Sequence, residues 1–235
     1  MSEVAGDSPL QSRVLESLTS VVHYQDWLTS LALPYLGEHP LELGSGNGDY
    51  ARRWLDLGVP EITVSELDPS RLTLLRDRFA PEPRAHVKEI DVTKPAGQHH
   101  SCVVAFNVLE HIENDVAALG GARDLVKPGG HVVMFVPAFN FAYGRFDQQV
   151  GHFRRYTKAT LRAAYEKAGL ELVDLRYVNM PGLASWFVGV RLLRMQVSDS
   201  ALVRAWDKTI TPIARRLEKN HRPPFGQSLL AVAKV

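Results

Sequence analysis

The stretch "LELGSGNG", residues 41–48, runs from a short apolar strand pattern straight into three glycines spaced two apart. A strand that ends in glycines and opens into a helix presents bare backbone to a ligand that side chains would obstruct. The question is which ligand. A dinucleotide fingerprint requires glycine or alanine three positions after the second glycine, so that helix and strand pack closely beside a pyrophosphate. Asp49 stands there instead, and a carboxylate at a helix start repels a diphosphate. A P-loop is excluded as well, because no Gly-Lys-Ser/Thr follows. A ligand without phosphates, bearing an amino group and a carboxylate, fits better.

Working outward, short apolar runs appear at "HPLELG", "EITVSE", "AHVKEI", "CVVAFN" and "HVVMFVP". Segments such as "RLTLLRDRF" and "ENDVAALGGARDLV", with apolar positions at helical spacing, separate them. This alternation predicts an α/β fold: a doubly wound, Rossmann-like, seven-stranded and mostly parallel sheet with helices on both faces. Asp68-Pro69 suits a helix start, Thr157 caps "KATLRAAYEKA", Gly169 closes that helix, and "KPGG" at 127–130 reads as a turn before strand five. "LELVDLRYVN" is a sixth strand, a helix is expected at about 200–218, and "SLLAVAKV" is the last strand. Helices over roughly 9–36 carry Tyr24 and Trp27 toward the ligand end. The expected organisation is one domain over 1–235: a helical cap (1–38), a core (39–179), a lid insertion (180–226) and the closing strand (227–235).

Composition narrows the partners. Across 235 residues, 45% hydrophobic, the net charge is +1, so there is no broad basic field for nucleic acid phosphates. The single cysteine, Cys102, rules out an internal disulfide and a cysteine-cluster metal site, and its apolar setting reads as a buried, inert thiol. No metal is expected. The N-terminus has no basic-then-apolar signal and no run reaches the ~20 apolar residues that span a bilayer, so the expectation is cytoplasmic.

In such sheets ligands sit beyond the carboxyl ends of the strands, where strand order reverses. Glu66, 18 residues after Gly48, has nearly the spacing at which a carboxylate meets a ribose diol. Asp68 competes for the role but is already accounted for as a cap, leaving Glu66 free to accept two hydroxyl hydrogen bonds. Asp91, after the third strand, either accepts from an adenine amine or is a solvated loop carboxylate. Together these residues describe a nucleoside carrying an amino acid.

"LELGSGNG", "SELDPSRL", "EIDV", "NVLEHIEND" and "VKPGGHVVMFVP" resemble, in order and over roughly residues 24–179, the motifs of class I S-adenosylmethionine-dependent methyltransferases. "GRFDQQVGHFRRYTKATL" further resembles a bacterial small-molecule subgroup of that family. The resemblance implies that Gly44, Gly46 and Gly48, with the amides around Ser45 and Asn47, cradle the methionine part of S-adenosylmethionine while Glu42 orients its amino group. It also implies ribose binding by Glu66, adenine stacking by Leu67, an adenine contact by Asp91 with Val92 supplying backbone, and a cofactor wall from Asn107 and Val108. Glutamate replaces the family's commoner aspartate at positions 42 and 66; each keeps a carboxylate with about one methylene more reach.

A sulfonium methyl is already activated, so the protein's task is to align an acceptor and exclude water. An oxygen or nitrogen acceptor that must lose a proton points to a histidine. His152 and His111 follow strands five and four on the ligand side and are the catalytic candidates, although for His111, at a helix start, packing or hydrogen bonding to backbone is sufficient. His99 and His100 lie at the opposite end and read as solvated. Arg154, Arg155 and Tyr156 are either a clamp for the loop or recognise an acidic acceptor. Tyr24, Trp27, Tyr143 and Phe146, with Phe139 and Phe141, either form an aromatic acceptor pocket or pack the core. "PGLASWFVGVRLL" reads as a lid in preference to a peripheral membrane contact.

The expectation is a monomeric or homodimeric methyltransferase that acts on a small-molecule acceptor and yields S-adenosylhomocysteine. The alternative is a noncatalytic S-adenosylmethionine-binding or partner-activating subunit. Nucleic acid methylation is disfavoured because "NVLE" stands where nitrogen-methylating enzymes carry Asn/Asp-Pro-Pro-aromatic.

Overall fold

The computed structural model describes residues 20–95, 97, 99–188 and 200–235. The expected helical pattern over 9–19 and the middle of the predicted lid, 189–199, lie outside the described residues.

Seven strands form one sheet in the order β3-β2-β1-β4-β5-β7-β6. They are β1 (Pro40–Leu43), β2 (Ile62–Ser65), β3 (Ala85–Lys88), β4 (His100–Phe106), β5 (Val126–Pro137), β6 (Glu171–Val178) and β7 (Ser228–Lys234). All neighbours pair in parallel except β7, which runs antiparallel between β5 and β6. Strand order therefore reverses at β1/β4, immediately beyond which the glycine stretch lies.

Period-two alternation divides β4 between two apolar layers. Val103 and Ala105 join Leu119, Leu161 and Tyr165 on one face, whose helices are α4 (Asp115–Asp124) and α6 (Lys158–Lys167). Cys102 and Val104 join Leu28, Trp54 and Leu75 on the other, from α1 (Val22–Leu36), α2 (Asp49–Asp56) and α3 (Pro69–Phe79). Burial holds the Cys102 thiol far above its ordinary range, in keeping with an inert core group.

The helix boundaries follow local chemistry. Asp68 accepts from the backbone N–H groups of Ser70 and Arg71, with Pro69 in the first turn. Thr157 Oγ1 accepts from Thr160 N–H at 3.2 Å, and Gly169 leaves α6 at φ 72°. The "KPGG" segment is not a turn preceding β5 but a bulge within it: pairing jumps from His100↔Val126 to Cys102↔His131. His100 is also a correction. It is 3% exposed and stands edge-on to His39, and burial lowers its pKa to about 4.

The segment between β6 and β7 holds a short helix, α7 (Met180–Ser185), and a long one, α8 (Ser200–Asn220). Two acids of α8 supply N-caps from far along the chain. Asp207 accepts from the N–H groups of His23 and Tyr24 at the start of α1, at 3.0 and 2.8 Å. Glu218 accepts from those of Asn179 and Met180 at the start of α7, at 2.9 and 2.8 Å. These bonds dock α8 along α1. No described helix is long and apolar enough to cross a membrane.

Candidate active site

Beyond β1 the chain turns through Gly44, Gly46 and Gly48 at φ 61°, 55° and 77°, values that L side chains rarely adopt. A Cβ on Gly44 would lie 2.6 Å from Val108 Cγ2, and one on Gly48 2.5 Å from Phe79 Cε2. Two of the three glycines are thus demanded by the protein's own packing, before any ligand is considered. The turn is tied to β2: Ser45 N–H donates to the Ser65 carbonyl at 2.9 Å, and Ser65 N–H to Ser45 Oγ at 3.1 Å. Asp49 opens α2 and pairs with Arg78 at 2.7 Å, and the same guanidinium bonds the Asn47 carbonyl.

Glu42 sits at the base of this turn, 3% exposed, with Oε2 lacking any partner. Burial pushes its carboxyl up to about 8, with the nearby Glu66 and Asp49 carboxylates adding to the rise. Glu66 leaves β2 and returns to the turn: Oε1 accepts from Gly46 N–H at 2.8 Å and Oε2 from Leu67 N–H at 3.2 Å. Arg71 stands 3.9 Å from Oε1, yet burial outweighs these contacts and raises the Glu66 pKa. A carboxylate offers about four lone-pair positions, so two remain for hydroxyl donors. Asp91 turns toward its own loop, accepting from Thr93 N–H at 3.0 Å and Thr93 Oγ1 at 2.6 Å. Val92 is buried, whereas Asn107 is exposed at the end of β4 with φ 54°.

A second constellation forms where the loops after β4 and β5 meet. Glu110 and His111 lie in a single helical turn after β4, and His152 follows the short helix α5 (Arg145–Gln149). The His111 and His152 rings meet edge-on at 4.6 Å. His152 Nδ1 lies 2.7 Å from Asp147 Oδ1, and Asp147 in turn accepts from Arg155 Nε at 2.8 Å and from Gly144 N–H at 2.9 Å. Glu110 is 0% exposed, and neither carboxylate oxygen has a hydrogen-bond partner. Burial pushes its carboxyl up to about 8 and holds His111 down at about 4, with His152 contributing to the latter. Three non-glycine residues adopt positive φ among those described, Asn107, Phe139 and Asn179, and all lie just past the carboxyl ends of β4, β5 and β6. Such strain gathers where loops are held for a ligand.

The expected acceptor contacts separate. Tyr156 is 1% exposed and donates to Asp115 Oδ2 at 3.0 Å, so it belongs to the core. Arg154 pairs with the same Asp115 at 2.9 Å and donates to the Glu113 carbonyl at 2.6 Å. These two, with Arg155, clamp the loop. Trp27, 3% exposed, belongs to the layer with Leu28 and Trp54 and also lines an outer groove of about 420 Å³ against β6 and α8. Tyr24, edge-on to Trp27 at 6.4 Å, has its hydroxyl among Ser228 and Asn179. Phe146 stands 5.0 Å from Trp186, just after α7, and Tyr143 donates to the His152 carbonyl at 2.8 Å; both border the histidine pair. Sequence reasoning passed over Asp147 and Glu110. The signals were an acid five residues before His152 and one immediately before His111.

Residues 41–132 match the model of a methyltransferase domain family. Over that segment the chain is similar to a methyltransferase domain. Curated relatives of the methyltransferase domain include uncharacterized methyltransferases of Mycobacterium leprae, 26% identical over 69% of this chain and 61% of that protein, and Mycobacterium tuberculosis, 26% identical over 64% and 59%. The chain thus spans about six tenths of their length. An S-adenosylmethionine-dependent methyltransferase from Mesorhizobium loti shares the fold at TM-score 0.59 and 14% identity, covering 88% of this chain and 96% of that one. So does a chain of the Haloferax volcanii complex between the Trm112 methyltransferase activator and a methyltransferase, at 0.60 and 17%, covering 87% and 86%. The [4+2]-cyclase SpnF is similar to the same degree, at 0.59 and 17%, covering 88% and 80%. The residues at the glycine turn fit S-adenosylmethionine. The unpartnered Glu42 Oε2 suits an ammonium, and Glu66 keeps acceptor positions for hydroxyls.

Proposed function

We propose that the protein moves the methyl group of S-adenosylmethionine to an oxygen, nitrogen or carbon atom of a small organic acceptor. What supports this reading is that two constellations gather at the carboxyl ends of neighbouring strands, on either side of the β1/β4 crossover. On one side stand Glu42, the glycine turn and Glu66; on the other stand Glu110, His111 and His152. When bound, the cofactor supplies an electrophilic sulfonium methyl. Glu42 orients the ammonium, the turn holds the methionine portion, and Glu66 accepts from the ribose. Leu67, Asp91, Val92, Asn107 and Val108 line the adenosine side. Phe146 and Tyr143 border the acceptor, and the histidine pair with Glu110 handles the proton that an acceptor hydroxyl or amine gives up. Alignment and exclusion of water account for most of the rate.

Two measurements test this: retention of radiolabelled S-adenosylmethionine in equilibrium dialysis, and release of S-adenosylhomocysteine with a chemically diverse acceptor panel. A second reading, a cofactor-binding chain that works with or through a partner, is favoured by the likeness to the Trm112 complex. The likeness to SpnF likewise separates fold from methyl transfer. Cofactor retention without turnover, together with a stable partner in pull-down, would establish that second reading.

A further inference from the structure

Glu110 is entirely buried, and neither of its oxygens is hydrogen-bonded. Such a carboxylate costs several kcal/mol unless something meets it. What it faces is informative. One atom from each of Glu110, His111 and His152 lies within 4.8 Å of the other two. His152 Nε2 is 3.9 Å from Glu110 Oε1, too far for a hydrogen bond. Ligands each about 2.1 Å from one ion stand about 3.4 Å apart in a tetrahedron and up to about 4.2 Å apart when opposed, and the 3.9 Å between Glu110 and His152 falls within that range. The other ring nitrogens are arranged as metal ligands require. Asp147 engages His152 Nδ1 at 2.7 Å, which leaves Nε2 with its lone pair directed inward. On His111, Nδ1 has no partner, and the Gly151 carbonyl is a hydrogen-bond partner of the ring. Asp147 is itself fixed by Arg155.

We propose that Glu110, His111 and His152 bind one divalent first-row transition metal ion, with Asp147 a positioning residue for His152. Two imidazoles and one carboxylate favour such an ion over magnesium or calcium, and three protein ligands leave positions open for an acceptor oxygen. The proposal rests on the methyl-transfer reading only for that last role. A hydroxyl bound to the ion loses its proton more readily and gives it to solvent water, so no side chain need then act as base. With the ion in place His152 Nε2 is a ligand.

The test is stoichiometric binding of Co²⁺, Zn²⁺ and Mn²⁺ to chelator-stripped full-length protein, by calorimetry and by the visible absorption of the Co²⁺ form. One equivalent is expected, with the Co²⁺ spectrum abolished in Glu110→Gln and in His152→Gln. Asp147→Asn should weaken binding about 10- to 100-fold while keeping the spectrum. Circular dichroism checks the fold, and His111→Gln replaces any variant that fails to fold. His39, Glu61 and His86 form another possible cluster at the opposite end of the sheet. His86→Ala should leave the equivalent intact. No binding by the wild-type protein, or binding lost in His86→Ala and kept in Glu110→Gln, overturns the proposal. S-adenosylhomocysteine affinity is measured on the same samples: cofactor binding without metal removes only the metal site, and metal binding without cofactor removes only the methyl-transfer reading.

Discussion

Asp147 holds His152 and Arg155 together: one of its oxygens lies 2.7 Å from the imidazole Nδ1 and 2.8 Å from the guanidinium Nε, and the carboxylate is fully buried. His152 is thereby fixed in orientation by a carboxylate that Arg155 also engages. Asp147→Ala leaves the guanidinium buried and unpaired, a change that costs about 3–5 kcal/mol. For a domain of this size that corresponds to a fall in Tm of roughly 6–20 °C. Thermal unfolding checks it; a Tm within a degree or two of wild type would mean the cluster contributes little to stability.

Glu66→Ala removes the proposed ribose acceptor and also the acceptor of Gly46 N–H. Affinity for S-adenosylhomocysteine should drop by at least about 1.5 kcal/mol, roughly tenfold. Glu66→Gln, which keeps one acceptor oxygen, should fall between the two. Equal calorimetric affinities across the three proteins would remove the ribose assignment.

Glu42 links stability to pH. Its carboxyl is held at about 8 in the fold against 4.5 ordinarily, so the native state binds the extra proton between those values. Unfolding free energy then decreases as pH rises through that window, by about 1.4 kcal/mol per unit for one proton. The stability difference between wild type and Glu42→Gln should therefore shift in favour of Glu42→Gln between pH 5 and pH 8. Binding of the cofactor's ammonium should ionise the carboxyl and release a proton at pH 6, which calorimetry in buffers of different ionisation enthalpy detects. Parallel stability curves would contradict this account.

Gly44→Ala places a methyl 2.6 Å from Val108 Cγ2 at φ 61°. We expect a loss of roughly 1–3 kcal/mol from backbone strain and contact together. Adding Val108→Ala should restore the steric share and leave the conformational one. Chemical denaturation of the single and double variants separates the two.

Tyr156→Phe deletes the bond to Asp115 without opening a cavity. It should cost about 1 kcal/mol of stability. It should leave the KM for any acceptor unchanged. A raised KM would return Tyr156 to the acceptor site.

The crossover was legible in the sequence because strand and helix periods alternate cleanly and glycine, proline and capping residues mark the joints. Helix starts at Asp68 and Thr157 could be assigned to single side chains, since a cap acts within three residues. The KPGG bulge was not legible: proline and two glycines suit a turn locally, and only pairing with β4 and the contact of Gly129 with Val235 extends β5 through them. Orientation was equally hidden at Tyr156 and Trp27, where an aromatic ring suits a pocket or a core and tertiary burial decides. Glu110 needed the fold as well, because nothing local shows that a carboxylate in "LEHI" will end up without water.

Among the described residues β6 pairs with β7 alone, and α7 and α8 separate them along the chain. During synthesis β6 therefore leaves the ribosome well before its only neighbour and must wait with its backbone unmatched. Until β7 slides between β5 and β6, both strands present free edges, the state in which nascent chains are most prone to associate with one another.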